Sequence, residues 1–226
     1  MQKVKFHNIG LREYRKAWDF QEKLFQEVLT QKDKKDTTLV HHLIFCEHPH
    51  VYTLGKSGDE HNLLLNFIQL QAKDAQFIHT NRGGDITYHG PGQLVGYPIL
   101  SLTHFGIGLK EYIYKLEEVI IRAIAHYNIK GERLDGATGV WLDVGSGKNT
   151  RKICAIGVRS SHWVTMHGFA LNINTDLGYF GFINPCGYTD KAITSIAKET
   201  GRKIDFEEVS KKVLEEFESI FEINIE

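Results

Sequence analysis

The chain lacks an excess of charge of either sign: 27 basic and 28 acidic side chains leave a net charge of -1. That balance provides no electrostatic footprint for nucleic acid or an anionic membrane surface. No apolar run approaches the roughly 18 residues of a membrane span, and the opening MQKVKFHNIG has no stretch that reads as a signal peptide. Cysteine is scarce and odd in number, with Cys46, Cys154 and Cys186 scattered along the chain. Without a secretory context these are expected to be reduced thiols, which places the protein in the cytoplasm. There are only four prolines, and no repeat, low-complexity tract or Pro/Ser-rich linker divides the 226 residues. One domain spanning 1–226 is the expectation.

Hydrophobic residues at 42% and charged residues at 24% fit a globular chain with a sizeable core. A helix is expected over 11–29, where Leu11, Tyr14, Trp18, Phe25 and Val28 return near a 3.6-residue period. The strongest helical pattern is 109–127, with Tyr112, Leu116, Val119, Ile120, Ala123 and Tyr127 on one face. A third helix follows Asp205 as N-cap, with Glu208 placed to close a capping box and Val209, Val213 and Phe217 inward. Apolar and β-branched runs predict strands at 38–45, 51–54, 76–79, 94–100, 140–144, 153–158 and 169–173. Strands and helices mix without a βαβ rhythm, so the fold class is α/β in the broad sense, an α+β mixed sheet with flanking helices.

Histidine is abundant, at 12 residues, and His41, His42, His48 and His50 crowd one segment. Their spacing matches no helical or Cys/His zinc pattern, and no metal is expected.

Three segments have compositions that packing does not require. The first is RGGDITYHGPGQ, Arg82 to Gln93, with four glycines and a proline in twelve residues. Such a backbone can approach a ligand closely, with Arg82 and His89 as polar handles. It fits neither G-x-x-x-x-G-K-[ST] nor G-x-G-x-x-G. The second pairs KICAIG, Lys152 to Gly157, with MHGFALN, Met166 to Asn172. On a regular strand Lys152 points away from Ile153 and shares a face with Cys154. The third is NPCG, which sets Cys186 between proline and glycine in a turn a substrate can reach. A cysteine becomes a good nucleophile only as thiolate, and Lys152 and His167 are the candidate partners. Cys154 is a rival nucleophile, ranked lower because a thiol inside an apolar strand tends to stay buried and protonated.

These blocks, with the earlier EHPHVYTLG over 47–55, resemble those of the lipoyl(octanoyl) transferase family in order and spacing, over about residues 40–190. The resemblance implies a fold like that of the lipoate and biotin protein ligases, built around an acyl-binding tunnel. It implies that Cys186 carries an octanoyl thioester and that Lys152 lowers its pKa and acts as base. Arg82, Gly83, Gly84, Asp85, Ile86, Thr87, Tyr88 and His89 would line the substrate pocket. Ala155, Ile156, Gly157, His167, Gly168, Phe169 and Ala170 would line it too. The implied donor is octanoyl-acyl carrier protein. The implied acceptors are lipoyl domains of 2-oxoacid dehydrogenase complexes and the glycine cleavage H protein. No cofactor is implied, and the expected state is a monomer. An ATP-dependent lipoate ligase is the nearest rival, and it would not need Cys186.

Overall fold

A computed structural model of the chain describes residues 2–33, 39–184 and 192–226. The chain begins with a strand, β1 (Gln2–Leu11), then a long helix, α1 (Tyr14–Asp33), then β2 (His41–Glu47). β1 and β2 run parallel. Parallel neighbours need a crossover, and α1 makes it. β3 (Val51–Leu54), α2 (Phe67–Ala72), β4 (Gln76–His79) and β5 (Ile86–His89) follow, then β6 (Gln93–Ile99), α3 (Leu102–Phe105) and α4 (Leu109–Ala125). β7 (Glu132–Leu134), β8 (Ala137–Leu142), β9 (Arg151–Ser161) and β10 (Val164–Asn172) form a run of antiparallel strands. The described chain closes with β11 (Ala192–Ile193), α5 (Ile196–Thr200), α6 (Phe206–Phe221) and β12 (Ile223–Ile225).

The main sheet has the order β12-β1-β2-β6-β10-β9-β8-β7, with β11 beside β9, and a small sheet β4-β3-β5 stands apart from it. The architecture is the mixed sheet with flanking helices that the sequence pattern predicts.

Each face of the main sheet carries its own core. Leu43, Phe45, Leu94, Phe169 and Leu171 meet the inward stripe of α4 (Tyr112, Leu116, Val119, Ile120) and Val209, Val213 and Phe217 of α6. The alternate residues Ile44, Cys46, Val95, Tyr97 and Ala170 meet Ala17, Leu24, Phe25 and Val28 of α1. The period-2 alternation of the strands thus feeds two helical layers.

Several local expectations shift. Leu11 ends β1 and is 61% exposed instead of opening a helix. β1 and β12 pair in parallel at the edge of the sheet, where half-exposed polar residues dilute the apolar pattern. Asp205 does cap α6, its carboxylate accepting from the N–H groups of Glu207 and Glu208. The Glu208 side chain accepts instead from the Tyr127 hydroxyl.

Candidate functional site

β9 changes neighbours along its length. Lys152 pairs with Trp141 of β8, and Cys154 pairs with Val140. Two residues of β9 thus advance against one of β8, which makes a bulge at Ile153. Because Val140 and Trp141 are consecutive, they point to opposite faces, and so do Cys154 and Lys152. The shared face expected for an unbroken strand is lost to that one extra residue. Ile153 and Cys154 both sit in the α4/α6 core, fully buried. Lys152 turns the other way, with its Nζ 4.4 Å from the centroid of the Trp141 ring.

Beyond Cys154 no register pair joins β8 to β9. The next backbone bond on that edge, among the described residues, comes from the glycine-rich segment: Gly83 N–H donates to the Val158 carbonyl at 2.9 Å. Between the two contacts β8 and the segment diverge, and a cavity of about 600 Å³ opens in the fork. That size suits a small-molecule site.

Lys152, Thr138, Arg82 and Asp85 are among the polar residues that line the cavity, with Ile86, Val95, Ile156, Val158 and Phe169 among its apolar walls. Of the residues named from sequence, Arg82 to Thr87, His89, Lys152, Ala155 to Gly157 and His167 to Ala170 all line this cavity. Tyr88 is not among the lining residues. Its ring packs in a separate cluster with Tyr52, and its hydroxyl bonds His50 Nδ1 at 2.7 Å. Cys186 lies outside the described residues. Among the lining residues that the sequence alone did not single out are Tyr14 of α1, Gln93 and Tyr97 of β6, Asn172 of β10 and Ile183 of the loop beyond it.

Close backbone approach explains two glycines. Gly84 adopts φ +85, and its carbonyl would lie 2.2 Å from a Cβ at Gly55. A Cβ at Gly157 would meet Gly83 O at 3.1 Å and Arg82 Cδ at 3.3 Å, so the arginine segment packs directly on β9. Arg82 itself is buried. Its Nη2 donates to the Thr53 carbonyl at 2.6 Å and to Thr53 Oγ1 at 2.9 Å, and its Nη1 donates to the Gly83 carbonyl at 3.0 Å. Asp85 accepts from Asn62 Nδ2 at 2.8 Å.

Burial holds the pKa of both histidines at the site below the ordinary value. His167 is 1% exposed, and burial, aided by the positive charges of Arg82 and Arg159, pushes its pKa down to about 3. It adopts φ +59 within β10, a left-handed conformation uncommon for a side-chain-bearing residue. Its ring is held by Asn81 Oδ1 at 2.6 Å from Nε2. His89 is pushed well below the ordinary value, again first by burial and then by His48 and Arg82. His48 donates through Nδ1 to the Arg12 carbonyl and accepts the Tyr97 hydroxyl at Nε2, each at 2.7 Å. The histidine segment therefore packs as a hydrogen-bonded aromatic layer. Among the described residues no group of three or more His, Cys, Asp or Glu side chains is arranged to hold a metal ion.

The other two cysteines are buried and unpaired. Burial raises both thiol pKa values, Cys154 among the α4/α6 residues and Cys46 among the α1 residues. Neither lines the cavity. No helix among the described residues is long and apolar enough to cross a membrane.

Residues 13–218 match the family described as lipoyl protein ligase A/B catalytic domain. An octanoyltransferase of Christiangramia forsetii is 52% identical over 228 residues, covering 98% of this chain and 97% of its own. One from Bacteroides fragilis is 56% identical over 200 residues, covering 88% of this chain and 90% of its own. A bipartite lipoate protein ligase of Thermoplasma acidophilum shares the fold at TM-score 0.72 and 12% identity, across 100% of this chain and 86% of that one. A biotin protein ligase of Aquifex aeolicus solved with biotin and ATP follows at TM-score 0.52 and 14% identity, across 98% and 71%.

Proposed function

We propose a mechanism on the premise that this chain belongs to the octanoyltransferases, within the lipoyl protein ligase A/B catalytic domain family. It is an acyltransferase of protein lipoylation. Residues 1–226 act as one catalytic domain in the cytoplasm, taking the octanoyl group from octanoyl-acyl carrier protein. The acceptor is a lysine of a lipoyl domain, in a 2-oxoacid dehydrogenase complex or the glycine cleavage H protein. The supporting observation is the cavity beside β9, lined by both Lys152 and Arg82.

In this reading the Cys186 thiolate attacks the donor's thioester carbonyl, forming a new C–S bond and a tetrahedral oxyanion. Collapse expels the carrier thiolate, which takes a proton from the Lys152 ammonium. One thioester replaces another, so the step is close to even in energy. The acceptor amine then attacks, Lys152 takes its proton, and the Cys186 thiolate leaves as the amide forms. Formation of the amide makes the sequence run forward.

The oxyanion needs fixed donors. The Val158 carbonyl turns away from β10 to meet Gly83, and in an antiparallel ladder that orientation repeats every second residue. The N–H of Ile156 therefore faces the fork, where it can serve as such a donor. Ile86, Ile156 and Phe169 offer apolar surface to the chain of the acyl group. Burying its seven methylene and methyl groups is worth about 6 kcal/mol at ~0.8 kcal/mol each.

Intact-protein mass spectrometry after mixing with octanoyl-acyl carrier protein tests the proposal. A single octanoyl adduct is expected on the native enzyme, absent from Cys186→Ala and discharged by a lipoyl domain. An adduct that persists on Cys186→Ala moves the nucleophile elsewhere. No adduct on the native enzyme overturns the covalent route and favours ATP-dependent ligation.

A further inference from the structure

A file of buried polar groups runs along the cavity wall, and its hydrogen bonds share one direction. Arg82 Nη2 donates to Thr53 Oγ1 at 2.9 Å. The His89 ring lies between two partners, with Nε2 3.4 Å from Thr53 Oγ1 and Nδ1 2.8 Å from Gln93 Oε1. Gln93 Nε2 donates to Asn172 Oδ1 at 2.9 Å and to the Tyr88 carbonyl at 3.1 Å, and Asn172 Nδ2 donates to the Thr194 carbonyl at 3.0 Å.

Each sense follows from the one beside it. A carbonyl can only accept, so Asn172 presents its NH₂ to Thr194 and its oxygen to Gln93. Gln93 must then present its NH₂ to Asn172 and its oxygen to His89. His89 Nδ1 therefore carries the proton, and Nε2 is left as a lone pair for the Thr53 hydroxyl. Arg82 can only donate, which fixes the far end. Chains of bonds aligned in this way polarise one another in a dry interior. All six residues are buried, at 0–7% exposure.

The chain ends where Lys152 is held. Thr194 N–H donates to the Lys152 carbonyl at 2.9 Å, and Ile193 pairs with Lys152 in the β11–β9 register. The Thr194 hydroxyl also bonds Glu199, whose carboxylate grips Arg151 through two contacts. The arginine segment on one side of the cavity is thus wired to the backbone of Lys152 on the other.

We propose that Gln93 and Asn172 are positioning residues for acyl transfer, setting Lys152 relative to the Arg82 segment through His89 held in its Nδ1–H tautomer. The inference deepens the role given to Lys152 above and rests on that reading. It also recasts His89, which acts as a neutral link of the scaffold and not as a proton carrier.

Two measurements test it. In ¹⁵N NMR of the native enzyme, His89 is expected as the neutral Nδ1–H tautomer throughout pH 5.5–8. The Nε2–H tautomer, or titration in that range, reverses the chain and overturns the proposal. In single-turnover acylation by octanoyl-acyl carrier protein, Gln93→Glu and Asn172→Asp each remove a donor with little change of shape. Each is expected to slow the saturated rate about tenfold or more, with the half-saturating donor concentration within about twofold. The double variant should be no slower than the slower single, because both cut one chain. Multiplicative losses, or a change confined to half-saturation, overturn the proposal. Gln93→Met and Asn172→Leu replace any acidic variant that does not fold. Full activity of Lys152→Ala sinks the reading of Lys152 itself and leaves the His89 tautomer as it was.

Discussion

The two halves of β9 show how one strand divides structure from chemistry. From Arg151 to Cys154 it is flanked: β8 pairs with it on one edge and β11 or β10 on the other. Its inward residues there, Ile153 and Cys154, are fully buried. From Ala155 to Gly157 the β8 edge is given up, every residue is partly exposed, and the cavity lies against it. The bulge at Ile153 separates these regimes. It puts into the core a thiol whose pKa burial raises, and it places a lysine against the cavity. Neighbouring residues with reactive side chains are therefore not interchangeable, and burial decides between them.

The sharpest way to break that comparison is to delete both side chains in turn. Lys152→Ala should lower the rate of acyl transfer by about 10²–10⁴-fold, the range of general acid–base catalysis. Cys154→Ala should keep the rate within about threefold and lower stability by roughly 1 kcal/mol, the cost of a small cavity. Stopped-flow acylation and urea unfolding measure the two effects. Loss of the adduct in Cys154→Ala would erase the distinction drawn between the two halves.

Leu116→Ala extends the test to the helical layer behind the strand. Leu116 is fully buried in the α4/α6 cluster, and its truncation should reduce stability by about 2–5 kcal/mol. The folded fraction should keep its kcat and KM, since Leu116 does not line the cavity. A selective fall in kcat would show that the core and the fork are coupled.

Acid should act through the buried histidines. His41 and His167 are held down to about 3 and His42 and His48 to about 4, from an ordinary 6.5, each chiefly by burial. The unfolded chain therefore binds protons that the fold excludes. Their contribution is complete above about pH 6.5 and is lost as pH falls towards about 4 for His42 and His48 and about 3 for His41 and His167. Each such histidine weakens the fold by up to about 1.4 kcal/mol per pH unit in that window. Denaturant midpoints between pH 7 and 4.5 should fall steadily, and a flat profile would show that the buried histidines charge without penalty.

The sequence made the fold and most of the cavity wall legible for physical reasons that also mark the limits. Glycine excess at 83–92 flags a tight backbone whatever its partners are, and helical periodicity identifies α4 and α6 because each buries a single stripe. What escaped depends on distant pairings. Gln93 and Asn172 are 79 residues apart and meet only because β6 and β10 are neighbours. The bulge that divides Lys152 from Cys154 requires knowing which residue of β8 stands opposite. The two faces of β5 were legible in principle: alternation turns Tyr88 away from Thr87 and His89, but the glycines around Ile86–His89 read as turns and hid the strand.

The smallest effect tests the bare edge most directly. Gly157→Ala adds one methyl group, which would meet Gly83 O at 3.1 Å and Arg82 Cδ at 3.3 Å. The φ of Gly157 is not in the left-handed range, so the backbone tolerates alanine and only the neighbouring segment has to move. Moving it by a few tenths of an ångström strains the Gly83–Val158 bond and displaces Arg82, while Cys154 and the core behind it are untouched. The expected outcome is a rise of about three- to tenfold in KM for the donor, with stability within about 1 kcal/mol of native. Ala155→Gly makes the converse change on the same edge and should leave KM within about twofold. Equal KM changes in both would mean that the edge responds to strand flexibility, and not to the packing of the arginine segment on β9.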